Sequence, residues 1–274
     1  MQQAQIHQIF YSEETRLALD PGFIPLDNVG QRPDWCEYWP MRNFLTGAAL
    51  DEEAFYGFLS PKFKDKTGLT AADVHQFLGA IDTPSDVDIV TFSPFFDAGA
   101  LFPSIFAQGA DGHPAAWPVF VECVRLLAPQ VNLEAMVMDS RHTVFCNYFV
   151  AKPRFWRHWL SRAEVVFKIA EENRSPLAEA FNSTIDHSSG ATAIKVFVIE
   201  RIVSLLLATE RHWQVRAFNP LALPLLYPGA ERVGETLLAL DALKVAMIET
   251  GRSEYMAAFV EIVCHARQAM KSDQ

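Results

Sequence analysis

The 274-residue chain has only four cysteines, Cys36, Cys123, Cys146 and Cys264, and none forms a CxxC or CxxH pair. That excludes a zinc knuckle and a dense disulfide framework and leaves reduced, mostly buried thiols as the expectation. Cationic runs are equally scarce. Lys and Arg number 23 against 33 Asp and Glu, a net charge of −10, and an acidic surface repels nucleic acid and anionic membranes. No nucleic-acid partner is expected. Long apolar runs are absent too: Ile194 to Ala208 is interrupted by Lys195, Glu200 and Arg201, so no transmembrane segment is expected. Met1 to His7 has neither the basic nor the apolar region of a secretory leader, and the expected location is the cytoplasm. Glycines such as Gly47 and Gly57 make no phosphate-binding fingerprint, no Ser/His/Asp series has an interpretable spacing, and no internal repeat is visible.

What is present is apolar residue, half of the chain, enough for one large core. Ile6, Ile9, Phe10 and Tyr11 form a strand-like run stopped at Ser12, and Phe23 to Asp27 reads as a second extended piece. Asp34 to Pro40 is an aromatic-rich loop followed by Met41 to Leu45, and Phe55 to Leu59 has strand composition and ends at Ser60-Pro61. Thr70 with Asp73 is an acidic capping box opening a helix, and Asp88 to Pro94 is short enough for a buried strand. Helices are expected from Trp117 to Leu127 and from Pro153 onward, with a strand over Thr143 to Ala151 between them. From Ile194 to Trp213, Glu231 to Thr250 and Ser253 to Met270 the chain reads as helix. The segment from Ser183 to Gly190 and the tail after Met270 read as poorly structured. Alternating strands and helices followed by packed helices describe an α/β protein: a central sheet flanked by helices, with a helical C-terminal third. The boundary is placed so that residues 1–213 form the α/β domain and 214–274 a helical extension packed on it.

Four segments carry a resemblance. Ile6-His7-Gln8-Ile9-Phe10 resembles the Ile-His-Gln-Ile-Trp opening of one branch of nucleotide-sugar glycosyltransferases of the GT-A fold. Tyr38-Trp39-Pro40 with Arg42-Asn43, leading into Tyr56 to Leu59, is similar to a stretch of small capsular-polysaccharide-type transferases. Asn147 to Pro153 with Phe155, and the helix Phe197-Val198-Ile199-Glu200-Arg201-Ile202, resemble two later segments of the same enzymes. Together they cover most of residues 6 to 207; the helices after Trp213 have no counterpart. The resemblance implies a GT-A-like (nucleotide-diphospho-sugar transferase-like) sheet, a nucleotide-sugar donor and a glycan, lipid-linked or protein acceptor. The Asp-x-Asp that usually ends the strand before the sugar site and holds Mn²⁺ or Mg²⁺ is replaced by Ser60-Pro61-Lys62. A divalent metal is thus allowed by the family but has no carboxylate pair at this point, and a lysine there can stabilise a diphosphate as a point charge.

Within that frame His7 and Gln8 stand either against a base or ribose, or simply as polar residues of a buried strand. Tyr11 and Trp39 are stacking candidates, with core packing as the competing reading. Arg42 and Asn43 are candidates for phosphate, alongside Ser60 and Lys62, and an ion pair with a nearby acid explains Arg42 equally. Asp86-Val87-Asp88, the only literal Asp-x-Asp, precedes a strand, whereas ligand sites lie beyond the carboxyl ends of parallel strands; capping or solvated acids are expected there. Asp97 follows a strand end and is a catalytic candidate, as are Asp139 and Glu200. His142, Asn147, His187 and Arg201 are assigned to the sugar and acceptor side, Glu200-Arg201 having a structural clamp as its alternative. A catalytically inactive binding or assembly protein of the same fold is the competing function, its C-terminal helices suiting a homodimer interface.

Overall fold

The computed structural model describes residues 4–187 and 190–271, with the side chains of Pro84 and His187 outside that description. Strand β1 (Ala4–Phe10), helix α1 (Glu13–Leu17) and strand β2 (Ile24–Asp27) open the chain. Helix α2 (Tyr38–Gly47) leads to β3 (Phe55–Leu59), α3 (Phe63–Thr67), α4 (Ala71–Gly79) and β4 (Ile89–Thr91). Helices α5 (Phe96–Ala100), α6 (Ile105–Gly112) and α7 (Trp117–Leu127) follow, then β5 (Phe149–Ala151), α8 (Pro153–Glu172) and α9 (Pro176–Asn182). The hairpin β6 (Thr184–His187) and β7 (Gly190–Ala193), α10 (Ile194–Thr209), β8 (Val215–Ala217), α11 (Gly234–Thr250) and α12 (Glu254–Lys271) complete it.

Six strands make one mixed sheet in the order β2-β1-β3-β5-β4-β8. All pairs are parallel except those of β5, which runs antiparallel to β3 and β4. Fully buried strands such as β3, whose five residues are all inside, need helices on both faces. Tyr56 and Phe58 point into a large core with α2, α8 and α10, while Phe55 and Leu59 point into a second core under α3 and α4. Gly57 is required where β1 and β5 close on β3: a Cβ there would stand 2.8 Å from Val150 and 3.2 Å from Ile6. The α11–α12 hairpin forms a third cluster with α5 through Phe96, Leu101, Leu237, Leu240 and Phe259. Lys244 pins it, its Nζ donating to the carbonyls of Gly99 and Met138 at 2.7 Å each.

Local signals in the sequence translate directly where they are capping signals. Thr70 and Asp73 form the reciprocal capping box of α4. Ser12 caps α1, but its reciprocal partner is Thr15 and not an acid. Four readings change. The aromatic stretch after Asp34 is a short 3-10 turn that runs into α2, so Trp39 is helical and not in a loop. The strand expected from Thr143 begins only at Phe149, because Cys146 and Asn147 both adopt left-handed backbone, φ 60° and 54°, which ends regular pairing. The segment around Ser183 to Gly190 carries a β-hairpin, with Ser188 and Ser189 outside the described residues. Val215–Ala217 is the sixth strand of the sheet, so the helical extension starts after it. Of the cysteines, all free, Cys264 is exposed and Cys36 and Cys146 are half-buried. Among the described residues no helix is long and apolar enough to cross a membrane.

Candidate functional site

The chain leaves β1 on one side to form β2 and then crosses over through α2 to form β3 on the other side, so the topology switches at β1. In such sheets the crevice beyond the carboxyl ends of the strands is where ligands bind. Tyr11 follows β1, Asn28 follows β2 and Ser60 follows β3; because β5 is antiparallel, its leading residues Cys146 and Asn147 arrive at the same edge. Glu37 stands at the N-terminus of α2. Lys66 comes from the last turn of α3, and Glu200 from the first half of α10.

These side chains act on one another. Lys66 Nζ donates to Cys146 Sγ at 3.1 Å and lies 6.0 Å from the Tyr148 ring centre. Tyr148 and Ser60 hydroxyls meet at 2.7 Å. Burial pushes the Glu200 carboxyl up, with Glu37 adding to that and Arg201 and Lys66 opposing it. Burial draws the Lys66 ammonium down, but the Cys146 sulfur, Glu200 and Glu37 outweigh it and hold its pKa above the ordinary lysine value. The Cys146 thiol is pushed up to about 11 by burial, and Cys36 up to about 12 by burial and then by Glu37 and Glu200. Burial, followed by Glu37, also raises Tyr11. At neutral pH the group is therefore a cationic lysine, neutral thiols and phenols, and two glutamates, of which Glu200 makes no hydrogen bond or ion pair among the described residues.

Two further observations mark this edge. Three buried polar atoms have no protein partner here: the Tyr11 hydroxyl, Asn28 Oδ1 and Asn147 Oδ1. Glu37 lies close enough to the Tyr11 hydroxyl to raise its pKa by charge and by hydrogen bonding, although the pair falls short of a well-formed hydrogen bond. Buried polar groups are nearly always satisfied, so a cluster of exceptions on one edge calls for a ligand, an ion or water. Backbone strain collects in the same region. Cys36 (φ 46°), Phe95 (φ 66°), Cys146 and Asn147 are non-glycine residues at positive φ, a pattern that concentrates at functional sites.

Of the residues expected from sequence, Tyr11, Ser60, Asn147 and Glu200 meet at this edge. Lys62 caps α3 at the same edge but is exposed, while Lys66, one turn later, is the lysine turned inward. Gln8 is spent structurally, its Nε2 donating to Ser60 O and its Oε1 accepting from Asp20 N. His7 sits mid-strand between Phe44 and Phe58, both ring nitrogens unpartnered, and burial lowers its pKa to about 4. Trp39 packs with Arg32 and Phe167, Arg42 pairs with Glu164 over the Phe167 ring, and Asn43 is exposed; these belong to the contact of α2 with α8.

The remaining candidates lie elsewhere. Asp97 is fully buried and accepts from the backbone N–H groups of Leu226 and Tyr227 at 2.9 and 2.7 Å. Asp139 is also fully buried. Burial raises its carboxyl, yet His142 and Arg141 together outweigh that and hold it far below the usual range. His142 Nδ1 is 3.0 Å from Asp139 Oδ1, close but out of line for a hydrogen bond. With Ser140 bonded to Asp241 and Arg141 to Glu249, this turn docks α11. Arg201 points away from Glu200, donating to the carbonyls of Ile105 and Phe197 over the Phe120 ring, which is the structural clamp. The side chain of His187 lies outside the described residues. Glu37 and Lys66 were missed: Glu37 sat in what read as an aromatic loop, and Lys66 in a lysine-rich stretch with no periodicity to say which lysine turns inward.

The donor set does not fit a dedicated metal. Among the described residues no three His, Cys, Asp or Glu side chains gather to hold an ion, and the charge that the two glutamates feel in common is the Lys66 ammonium. Of Asp86-Val87-Asp88, Asp86 is exposed as a solvated acid, whereas Asp88 is buried at the amino end of β4, ion-paired with Arg154 and accepting from the backbone N–H of Gln214. Fold and site define an α/β protein with a mixed six-stranded sheet and a polar cluster at its topological switch point. Comparisons with family models, curated proteins and solved structures find no match for the chain.

Proposed function

We propose that the chain is a glycosyltransferase-like protein of GT-A type that binds a nucleotide-activated sugar at the carboxyl ends of β1 and β3 and transfers the sugar to a glycan, lipid-linked or protein acceptor. The observation that carries this reading is the set of unpartnered buried polar atoms of Tyr11, Asn28 and Asn147 gathered beside Lys66, Glu37 and Glu200 at the switch point. A sugar offers hydroxyls to such orphaned acceptors and to carboxylates, while a lysine stabilises a diphosphate leaving group. In the transfer, an acceptor hydroxyl attacks the anomeric carbon, the bond to the diphosphate oxygen breaks, and the hydroxyl proton passes to a carboxylate. Glu200, whose affinity for a proton is raised, is the base. Lys66 takes the diphosphate role that Lys62 held in the sequence reading.

One observation favours a non-catalytic binding protein of the same fold: the strand end after β3 offers a hydroxyl engaged with Tyr148 and no carboxylate pair. A thermal-shift panel of UDP-, GDP-, CDP- and dTDP-sugars, each with Mn²⁺ and with EDTA, tests the donor reading. A melting shift that Lys66→Ala weakens by roughly tenfold in affinity and Lys62→Ala leaves in place is expected. No shift with any donor, repeated by calorimetry, sinks it. Sugar release separates the enzyme from the binding protein, and Glu200→Gln is expected to keep the shift and lose release.

A further inference from the structure

Between β8 and α11 the chain runs from Ala217 to Ala230 without a charged residue, flanked by Arg216 and Glu231. This strap crosses the carboxyl ends of β4 and β8, on the same edge of the sheet as the candidate site: Phe95 N donates to Pro224 O at 3.0 Å, and the Phe95 ring lies 6.1 Å from that of Phe145, next to Cys146. Its shape is enforced. Asp97, fully buried, holds the N–H groups of Leu226 and Tyr227, Asn219 Oδ1 accepts from Leu221 N, and prolines stand at 220, 224 and 228. A strap pinned by a buried carboxylate nevertheless turns three of its four leucines outward, Leu221 exposed by 51%, Leu225 by 37% and Leu226 by 44%, while Leu223 is buried. Three exposed leucines within six residues on a rigid support offer a small apolar contact next to the candidate site.

We propose that the strap is a lipid-contact element that seats the sheet edge on an uncharged or zwitterionic bilayer surface. A second copy of the chain is the poorer occupant: three half-exposed leucines present on the order of 200 Å², against the roughly 800 Å² per partner of a stable interface. Shallow insertion of leucines among lipids needs no such area, and the absence of charge along the strap means that no ion has to be desolvated at the headgroup layer. The net charge of −10 selects against anionic lipid. If the glycosyl-transfer reading holds, the acceptor is a lipid-linked molecule presented at that surface; the docking itself does not depend on that reading.

The test is co-sedimentation of the full chain with phosphatidylcholine vesicles, with and without added phosphatidylglycerol. Wild-type protein is expected to pellet with phosphatidylcholine independently of salt and less well with phosphatidylglycerol. The triple variant Leu221→Ser, Leu225→Ser, Leu226→Ser is expected to lose at least about fivefold of the bound fraction, and Leu221→Ser alone, at the most exposed of the three, part of it, with melting temperatures checking that both remain folded. Wild-type protein left in the supernatant, or a folded triple variant that pellets like wild type, overturns the proposal. So does a wild-type dimer that the triple variant converts to monomer, which assigns the strap to a second copy. Donor-induced melting shifts on the same variants are expected to match wild type, so vesicle binding without any donor shift would fail the transferase reading alone.

Discussion

Lys66 Nζ and Cys146 Sγ are 3.1 Å apart although 80 residues separate them in the chain, and they join helix α3 to the turn before β5 at the switch point of the sheet. Burial keeps this sulfur a thiol, pushed up to about 11, and Cys36 at about 12. Alkylation needs the thiolate. Iodoacetamide at about pH 8 should therefore label exposed Cys264 first and leave Cys36, Cys146 and buried Cys123 largely unmodified, with Cys146 labelling rising only as the pH approaches its raised value. Peptide mass spectrometry reads the order; early loss of Cys146 would contradict the buried pair.

His7 predicts an acid-sensitive stability. Its folded pKa is about 4 against 6.5 for the free side chain. As pH falls, the unfolded chain takes up the proton first, so the contribution is complete above pH 6.5 and is lost between 6.5 and about 4. The shift corresponds to about 3 kcal/mol. His7→Phe, which suits the rings of Phe44 and Phe58, should flatten the urea-derived stability over that window by most of this amount, and an unchanged slope would show that burial does not depress His7.

Asp97 serves the strap and not the chemistry. Asp97→Ala strips the backbone N–H groups of Leu226 and Tyr227 of their acceptor in a buried setting and should cost about 2–4 kcal/mol in urea denaturation. Donor-induced melting shifts, where wild type shows them, should persist. A stable variant without donor binding would return Asp97 to the site.

Gly109 is the seat of the Arg201 clamp. A Cβ at this position would lie 2.1 Å from Arg201 Nη2, whose buried guanidinium is fixed by the carbonyls of Ile105 and Phe197. Gly109→Ala should lower stability by about 1–3 kcal/mol, since the displaced cation has few other acceptors. Equal stability by chemical denaturation would mean that α6 and α10 shift apart freely.

Signals confined to a few neighbouring residues were decisive on their own: the Thr70–Asp73 capping box, the Pro153 helix start, the Gly251 break between α11 and α12, and the apolar runs of β1 and β3. Helix periodicity and capping are local, so the sequence alone determined an α/β chain ending in helices. It also determined the net charge and the interruption of the most apolar stretch by Lys195, Glu200 and Arg201. It was blind to β8, three residues whose pairing with β4 joins segments more than a hundred residues apart, and to the left-handed Cys146–Asn147 turn inside a β-like composition. Only the tertiary structure decided which polar residues share one edge. Tyr11, Glu37, Ser60, Lys66, Asn147 and Glu200 are scattered over 190 residues and come together because the topology switches at β1 and one strand runs backwards. Arg42, Asp97 and Asp139 looked as reactive in one dimension, but burial and partner choice made them struts, since a carboxylate whose lone pairs are already filled by the fold has none left for a substrate.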